Sequence, residues 1–352
     1  MARGNASAVL PLQALTPDAL ASSCGLTAAE ARRVVSAVHR GVALETAKGV
    51  RRTSLEAVRA RGAVPTLEVR AIRRSAIDPF VKLALATADG HVVEAVRIPL
   101  ERPGRFSACV SSQAGCALAC AFCATGRLGL ARNLESWEIV EQVRLVRATL
   151  GPGERVHGVV FQGMGEPLAN VERVVDAIRV MCDPCALAID ARAMTVCTSG
   201  LPSGIRRLAR ELPKVRLGWS IASARAEVRR RLMPIEAAHP LAEVLSAVEE
   251  HARATGLAPM WAVTPLAGVN DGEDDARALA ELARGFEART GIRPRVSVVP
   301  YNAIDEGAAD PFARGDVARF VAALAACGVR AHVRYSGGSD VAAACGQLAG
   351  RA

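Results

Sequence analysis

Apolar, strand-like segments alternate with amphipathic, helix-like segments through most of the chain after residue 109, and this alternation constrains the fold more than any other feature. The predicted strands lie at 156–162, 194–198, 215–221, 259–265, 295–300 and 331–335. The predicted helices lie at 136–150, 171–181, 203–212, 241–255, 274–286 and 314–326. Continuous apolar strands between such helices are typical of a parallel sheet with helices outside it. We therefore predict an α/β fold, a partial or full (β/α) barrel, with reacting groups at the carboxyl ends of its strands.

The first 90 residues differ from this pattern and predict a small helical accessory domain. Thr27 and Glu30 have the spacing of a capping box, and Gly41 ends the apolar-periodic segment that follows. Asp89-Gly90 joins two alternating runs, as a hairpin turn does. We predict an accessory domain over 1–90, which includes a linker and the start of the hairpin, and a core domain over 91–352.

The composition is typical of a folded protein from a reducing compartment. Apolar residues make up 51% of the 352 residues, which argues against a disordered chain. Ten cysteines without a signal peptide favour metal or catalytic roles over disulfides. No segment has the roughly 18 consecutive apolar residues that cross a bilayer. We expect a cytoplasmic monomer with no membrane partner.

The net charge of +9 favours a polyanionic partner such as RNA. Only three of the 44 basic residues are lysine, and the arginine fork suits phosphate. The alternative is a solvated surface, on which scattered basic residues are common. The candidate RNA-facing residues near the N-terminus are Arg32, Arg33, Arg40, Lys48, Arg51, Arg52, Arg59 and Arg61.

Three cysteines with CxxxCxxC spacing, Cys116, Cys120 and Cys123, predict a metal centre in one short loop. Thiolate is the ligand of iron–sulfur clusters. Three thiolates can hold a 4Fe–4S cluster and leave one iron open for the amino and carboxylate groups of S-adenosylmethionine (SAM). The alternative is a set of three buried or zinc-bound cysteines. Structural zinc sites take four ligands, usually as two separated pairs, and no obvious fourth ligand is present.

Two further features each allow two interpretations. The turn from Gly163 to Glu166 follows a predicted strand, and its glycines would let the backbone approach a ligand closely. Glu166 could hold an ammonium group such as that of SAM, although similar turns also serve as plain strand-to-helix connections. Glu94 lies among valines in the second strand of the hairpin. It is either a salt-bridged structural residue or a group held for proton transfer.

As a set, the motifs resemble those of the RlmN/Cfr family, radical-SAM enzymes that methylate an adenosine of 23S ribosomal RNA. Over residues 20–350 the motifs are CVSSQxGCxLxCxFC, GMGEPL, TSG, LMPI, VND and a terminal AACGQLAG. Such a combination is far more specific than any of its members. The resemblance implies a 4Fe–4S cluster and SAM as cofactors. It also implies RNA as a partner, 23S rRNA first and tRNA second, and a reductant such as flavodoxin.

The resemblance also implies roles for individual residues. The cysteines that match the cluster ligands are Cys116, Cys120 and Cys123. The residues that match or adjoin SAM contacts are Gly165, Glu166, Cys197, Ser220, Ile221, Ala222 and Asn302. Cys345 matches the cysteine that becomes S-methylated, and Cys109 matches the one that later forms a disulfide with it. Glu94 matches the proposed general base.

The implied reaction explains why these residue types are needed. Carbon 2 of adenine is not nucleophilic, so simple methyl transfer from SAM fails there. One SAM would methylate the Cys345 thiolate, and a radical made from a second SAM would remove hydrogen from that methyl group. The resulting methylene group would add to the base, and Glu94 would remove the ring proton. Cys109 would then attack the Cys345 sulfur and free the product.

The chain departs from the family pattern at positions that concern SAM and RNA contacts. Cys197 stands where the family usually has serine, Ala222 where it has histidine, and Glu236 where asparagine often follows Met-Pro-Ile. Trp219 adjoins the second of these sites, and segment 334–340 lacks the usual Thr-Arg-Gly. Two alternatives stay open: methylation of carbon 8, as in the Cfr branch, and a non-catalytic RNA-binding paralogue. The retained acid and thiols favour an enzyme.

Overall fold

A ten-stranded sheet forms the centre of the computed structural model, which describes residues 9–304 and 310–350. Within these residues the strands are β1 (Leu10–Pro11), β2 (Gly62–Ala63), β3 (Glu68–Arg74), β4 (Val81–Ala86), β5 (Val92–Pro99), β6 (Arg105–Cys109), β7 (Gln113–Cys116), β8 (Gly129–Asn133), β9 (Arg155–Phe161), β10 (Met194–Thr198), β11 (Arg216–Ser220), β12 (Met260–Val263), β13 (Arg295–Val298) and β14 (Ala331–Val333). The helices are α1 (Pro17–Cys24), α2 (Ala28–Arg40), α3 (Arg52–Arg61), α4 (Ser136–Ala148), α5 (Val171–Cys182), α6 (Pro202–Glu211), α7 (Ala226–Leu232), α8 (Leu241–Thr255), α9 (Glu273–Thr290) and α10 (Val317–Ala326). None of these helices is both long and apolar enough to span a bilayer.

Seven neighbouring strands of the large sheet run parallel, and three at one edge run antiparallel. The order is β14-β13-β12-β11-β10-β9-β6-β5-β4-β3. Strand β6 joins the two parts, because it pairs parallel with β9 and antiparallel with β5. In the described part of the chain, β3 and β14 do not pair with each other, so the sheet is open. The predicted α/β fold is confirmed, in its partial rather than its closed barrel form.

The N-terminal helices form a small unit with its own apolar cluster. The Thr27 side chain accepts from the Glu30 N–H at 3.3 Å, and the Glu30 carboxylate accepts from the Thr27 N–H at 3.1 Å. Helix α2 ends at Gly41, whose φ of +67° is readily adopted only by glycine. The predicted capping box and helix end are therefore both confirmed.

The hairpin around Asp89-Gly90 joins β4 to β5 within the main sheet. Gly90 has a φ of +86°, as a tight turn requires. The helical region ends with α3, and the following strands β3 and β4 extend the large sheet. The predicted boundary between residues 90 and 91 falls in the hairpin turn. The division into two domains therefore stays a prediction, and the helical region itself is shorter than 90 residues.

The outer face of the sheet packs against helices. Trp219 and Trp261 lie in edge contact with ring centroids 5.3 Å apart, and Trp261 contacts Phe286 of α9 at 5.2 Å. All three side chains are fully buried. Trp219 therefore belongs to the core on the helix side and not to the site beside it in the sequence.

Strand register places the chemically active side chains on the opposite, inner face. Val96 pairs with Cys109, Cys109 with Val160, and Val160 with Thr195. Residues two positions away along each strand share the same face, because side chains alternate along a strand. The inner face thus carries Glu94, Cys109, Gln162, Cys197 and Ser220.

Candidate active site

The cysteine triplet lies on the connection between β7 and β8. Cys116 ends β7, and Cys120 and Cys123 occupy a tight loop in which the Cys123 N–H donates to the Cys120 carbonyl at 3.1 Å. Gly115 has a φ of +78°, and a Cβ there would overlap the carbonyl oxygen of Gly129. The two short strands can approach each other only because this residue is glycine.

The three thiols of the triplet influence one another electrostatically. Burial raises the pKa of Cys116 to about 11 and that of Cys120 to about 12. The charge of Cys123 contributes to both increases. As the side chains stand, no group of three or more His, Cys, Asp or Glu residues in the described chain is arranged to hold a metal ion. A buried thiolate is costly without a cationic partner, and a bound metal centre would supply one.

The cysteine loop and the carboxyl ends of the parallel strands enclose a cavity of about 150 Å³, here called the first cavity. Cys120 and Cys123 line it from the loop, and Cys345 lines it from the C-terminal segment. The predicted SAM-contact residues that line it are Gly165, Glu166, Cys197, Ser220, Ala222 and Asn302. The Ile221 side chain instead lies in the main apolar core, so its proposed contact stays a prediction.

The turn after β9 holds Glu166 at the wall of the first cavity. Gly165 has a φ of +97°, and a Cβ there would lie 2.5 Å from the Cβ of Gln113. The Glu166 N–H donates to Gln113 Oε1 at 2.8 Å. Its carboxylate accepts from the N–H groups of Leu168 and Ser199 at 3.0 and 2.8 Å. Burial raises the pKa of Glu166, and a cationic ligand in the cavity would favour its charged form.

The C-terminal segment, residues 336–350, is tied to the site by several hydrogen bonds. Asn302 Nδ2 donates to Ser336 Oγ at 2.7 Å and to the Cys345 carbonyl at 3.2 Å. The Thr125 hydroxyl, next to the cysteine loop, donates to the Leu348 carbonyl at 2.6 Å. These contacts hold Cys345 beside the cysteine triplet.

Cys109 and Cys345 meet at a second cavity of about 60 Å³. Cys345 also lines the first cavity, so it lies between the two. Gln162 and Arg334 line the second cavity as well, and Arg334 Nη1 donates to Gln162 Oε1 at 2.9 Å. Burial raises the pKa of both thiols, and the charge of Arg334 lowers it. The structure thus brings together two thiols that lie far apart in the sequence.

Glu94 lies at a third cavity of about 370 Å³ and does not line the other two. Its Oε1 forms an ion pair with Lys82 Nζ at 2.9 Å, and both side chains are buried. Its Oε2 accepts from the N–H groups of Ala349 and Gly350 at 2.8 and 3.2 Å. The salt bridge expected of a structural Glu94 is therefore present, and a role in proton transfer stays a proposal.

Sequence analysis did not single out Lys82 or Gln162. Lys82 had a detectable signal, because it is one of three lysines and lies within an otherwise apolar strand. Gln162 had no comparable signal in the sequence, since a glutamine after a strand is common. Its importance comes from its contacts with groups on three other strands or segments.

Comparison with known proteins identifies the family. Residues 110–283 match the Radical SAM superfamily. A probable RNA methyltransferase of Sorangium cellulosum (strain So ce56) is 60% identical, over 95% of this chain and 91% of that protein. A probable dual-specificity RNA methyltransferase RlmN of Moorella thermoacetica is 39% identical, over 76% of this chain and 75% of that protein. The crystal structure of a radical SAM methyltransferase from Sphaerobacter thermophilus superposes with a TM-score of 0.86 at 32% identity, over 97% of this chain and 100% of that one.

The chain belongs to the RlmN/Cfr family. Radical-SAM proteins generally use SAM and a 4Fe–4S cluster, and the donor set here fits both. Cys116, Cys120 and Cys123 could hold the cluster, because they interact electrostatically and two of them face the first cavity. Glu166, which lines the same cavity, could meet the ammonium group of SAM.

Two departures from the RlmN/Cfr pattern have visible structural consequences. Glu236 is buried and pairs with the buried Arg229, whose Nη2 also donates to the Ser199 carbonyl at 2.7 Å. The acid is therefore neutralised within the protein. Ala222 has a φ of +58°, which is strained for a residue with a Cβ, and Asn270 Nδ2 bonds to its carbonyl at 2.8 Å. Asn270 thus holds the backbone where the family has histidine.

Proposed function

We propose that this protein methylates carbon 2 of an adenosine in RNA through a methyl group held on Cys345. Its family makes it a SAM-dependent RNA methyltransferase. One observation supports the route through Cys345 above others. Cys345 lies between a cavity lined by the candidate cofactor-binding residues and a cavity lined by a second thiol, Cys109.

The cofactors and the protein would have separate roles in the reaction. Bound together, the cluster and SAM supply a carbon radical that can remove hydrogen from a methyl group. The chain would position the methylated Cys345 through the bonds of Asn302 and Thr125 to its segment. The narrow setting of that sulfur would restrict the access of water.

Cys109 would release the product. After the methylene group on Cys345 bonds to the base, Cys109 would attack the Cys345 sulfur and form a disulfide. Attack requires the thiolate, and the charge of Arg334 opposes the effect of burial on the pKa of both thiols. The shared second cavity supports this pairing.

Glu94 would take the ring proton of the base. Lys82 and the two backbone N–H groups would hold the carboxylate in one orientation. Both N–H groups belong to the C-terminal segment that carries Cys345. Movement of this segment when RNA binds would free Oε2 for the proton.

RNA would approach a positively charged surface. Arg32, Arg33, Arg40 and Lys48 border one hollow in the N-terminal unit. Three of the other predicted basic residues, Arg51, Arg52 and Arg59, instead form ion pairs with glutamates. The relatives named RlmN are described as dual-specificity RNA methyltransferases. We propose 23S rRNA and tRNA as substrates and a reductant such as flavodoxin as the electron source.

The proposal is tested by mapping methylated adenosines in RNA from cells with and without this gene. Complementation would use the wild type, Cys345→Ala, and Cys327→Ala, which removes a thiol distant from the site. We expect 2-methyladenosine at a defined position to disappear on deletion and to return with the wild type and Cys327→Ala only. The appearance of 8-methyladenosine instead, or the same methylated adenosines in RNA from all strains, would contradict the proposal.

A further inference from the structure

A further buried thiol, Cys197, lies in the site with the buried Cys109 and the half-buried Cys345. Cys197 is the next-to-last residue of β10, and only 6% of its surface is exposed. It lines the first cavity together with Cys345. A Cβ on Gly218 of the neighbouring strand would lie 2.8 Å from its sulfur, so the glycine leaves room for the sulfur there. The sulfur of Cys197 thus has a defined place in the cavity wall.

Gln162 connects Cys197 to Cys109. The Cys197 thiol donates to Gln162 Oε1 at 3.7 Å, and Gln162 lines the second cavity together with Cys109. Burial raises the pKa of Cys197 to about 12, and the charge of Arg334 lowers it, as it does for the other two thiols. One guanidinium therefore favours the thiolate form of all three.

The Cys345 sulfur can be reached from two sides. Cys109 lines the second cavity together with it, Cys197 lines the first cavity together with it, and both thiols interact electrostatically with it. Serine, which the family usually has at this position, cannot form a disulfide. Replacing that hydroxyl by a thiol gives this chain a nucleophile that the usual pattern lacks.

We propose that Cys197 is a second resolving thiol, which attacks the Cys345 sulfur in place of Cys109 and releases the methylated base. This inference rests on the proposed function. Because the first cavity is also the proposed SAM site, attack by Cys197 follows the departure of the cofactor fragments. It is therefore slower than attack by Cys109.

The step balances without an external oxidant. A bond forms between the sulfurs of Cys197 and Cys345, and the bond between the Cys345 sulfur and the methylene carbon breaks. The bonding pair leaves with the carbon, which takes up the proton lost by the Cys197 thiol and becomes a methyl group. The sulfurs lose two electrons and the carbon gains them. A dithiol reductant then reduces the disulfide.

The test compares three variants expressed with the RNA substrate: Cys109→Ala, Cys109→Ala/Cys197→Ser and Cys109→Ala/Cys327→Ser. The fraction of protein covalently bound to RNA is measured on denaturing gels, and disulfides are mapped by mass spectrometry. We expect several-fold more bound RNA in the Cys197 double variant than in the other two. We also expect Cys109→Ala protein to contain a disulfide between Cys197, in peptide 193–206, and Cys345, in peptide 335–351.

Equal amounts of bound RNA in all three variants, with no linked peptide in Cys109→Ala, would overturn the role of Cys197 alone. If the double variant folds poorly, the linked peptide in the single variant still decides the question. Absence of bound RNA from every variant, together with an unmethylated Cys345 in the wild type, would overturn the proposed function itself.

Discussion

Individual side chains acquire their proposed roles from partners that are distant in the sequence or on another strand. Glu94 could be located by its motif, but its buried ion pair with Lys82 depends on the register of the hairpin. A carboxylate with no exposed surface is stable in its charged form only with such partners. Sequence could therefore predict the acid but not the contacts that orient it.

Replacing Lys82 by methionine tests this pairing. Without the ammonium group the buried carboxylate of Glu94 would lose its ionic partner and the contact that orients it for proton transfer. We expect at least a ten-fold slower transfer of the methyl group to RNA and a loss of about 3 kcal/mol in unfolding free energy. Methylation of Cys345 should persist, because Glu94 acts after it. Transfer rate, chemical denaturation and peptide mass spectrometry measure the three effects.

The matched control is Lys214→Met, which removes an exposed lysine outside the site. It should leave all three measurements unchanged. Loss of Cys345 methylation in Lys82→Met, or an unchanged rate of RNA methylation, would contradict a role for the pair in proton transfer.

Among the elements, those with strong local signals were predictable. The capped helix α2, the Asp89-Gly90 hairpin and the alternating strands and helices follow from local patterns, and all are present. Strand β3 was not predicted, because it is an edge strand with arginines and mostly exposed side chains. The short α7, which contains three arginines, also lacks a clear apolar periodicity. The path of the C-terminal segment depends on tertiary contacts alone.

The turn between β9 and α5 gives a prediction at this scale. Gly165→Ala would be strained by its φ and would also place a Cβ 2.5 Å from Gln113, so that Glu166 must move. Gly90→Ala has a similar φ with nothing within 4 Å of the added Cβ, and serves as the control. Both should lower the melting temperature, because each adds about 1–3 kcal/mol of backbone strain to the folded state.

Only Gly165→Ala should also weaken SAM binding, by at least ten-fold, in calorimetric titrations of anaerobic, cluster-containing protein. Equal affinity for SAM in the two variants would show that the position of Glu166 does not matter for the cofactor.

Over the whole molecule, the open sheet leaves an inner face that the cysteine loop and the C-terminal segment cover. Motif resemblance named candidate residues for the site, and most of them line the first two cavities. It could not predict that Cys345 would line two separate cavities, or that Glu94 would lie at a third and bond to the same segment. This arrangement arises because one terminal segment meets the ends of strands from across the whole sheet. Because Cys345 lies where these parts meet, the proposed function depends most on the methyl group that Cys345 would carry.

The most direct test is mass spectrometry of Cys345 in protein produced without oxygen, with cluster-assembly proteins, in cells fed methionine with a deuterated methyl group. We predict one deuterated methyl group on Cys345, within peptide 335–351, and none on Cys327 of the same molecules. Unmodified Cys345 in protein that contains its full iron and sulfide would contradict the account.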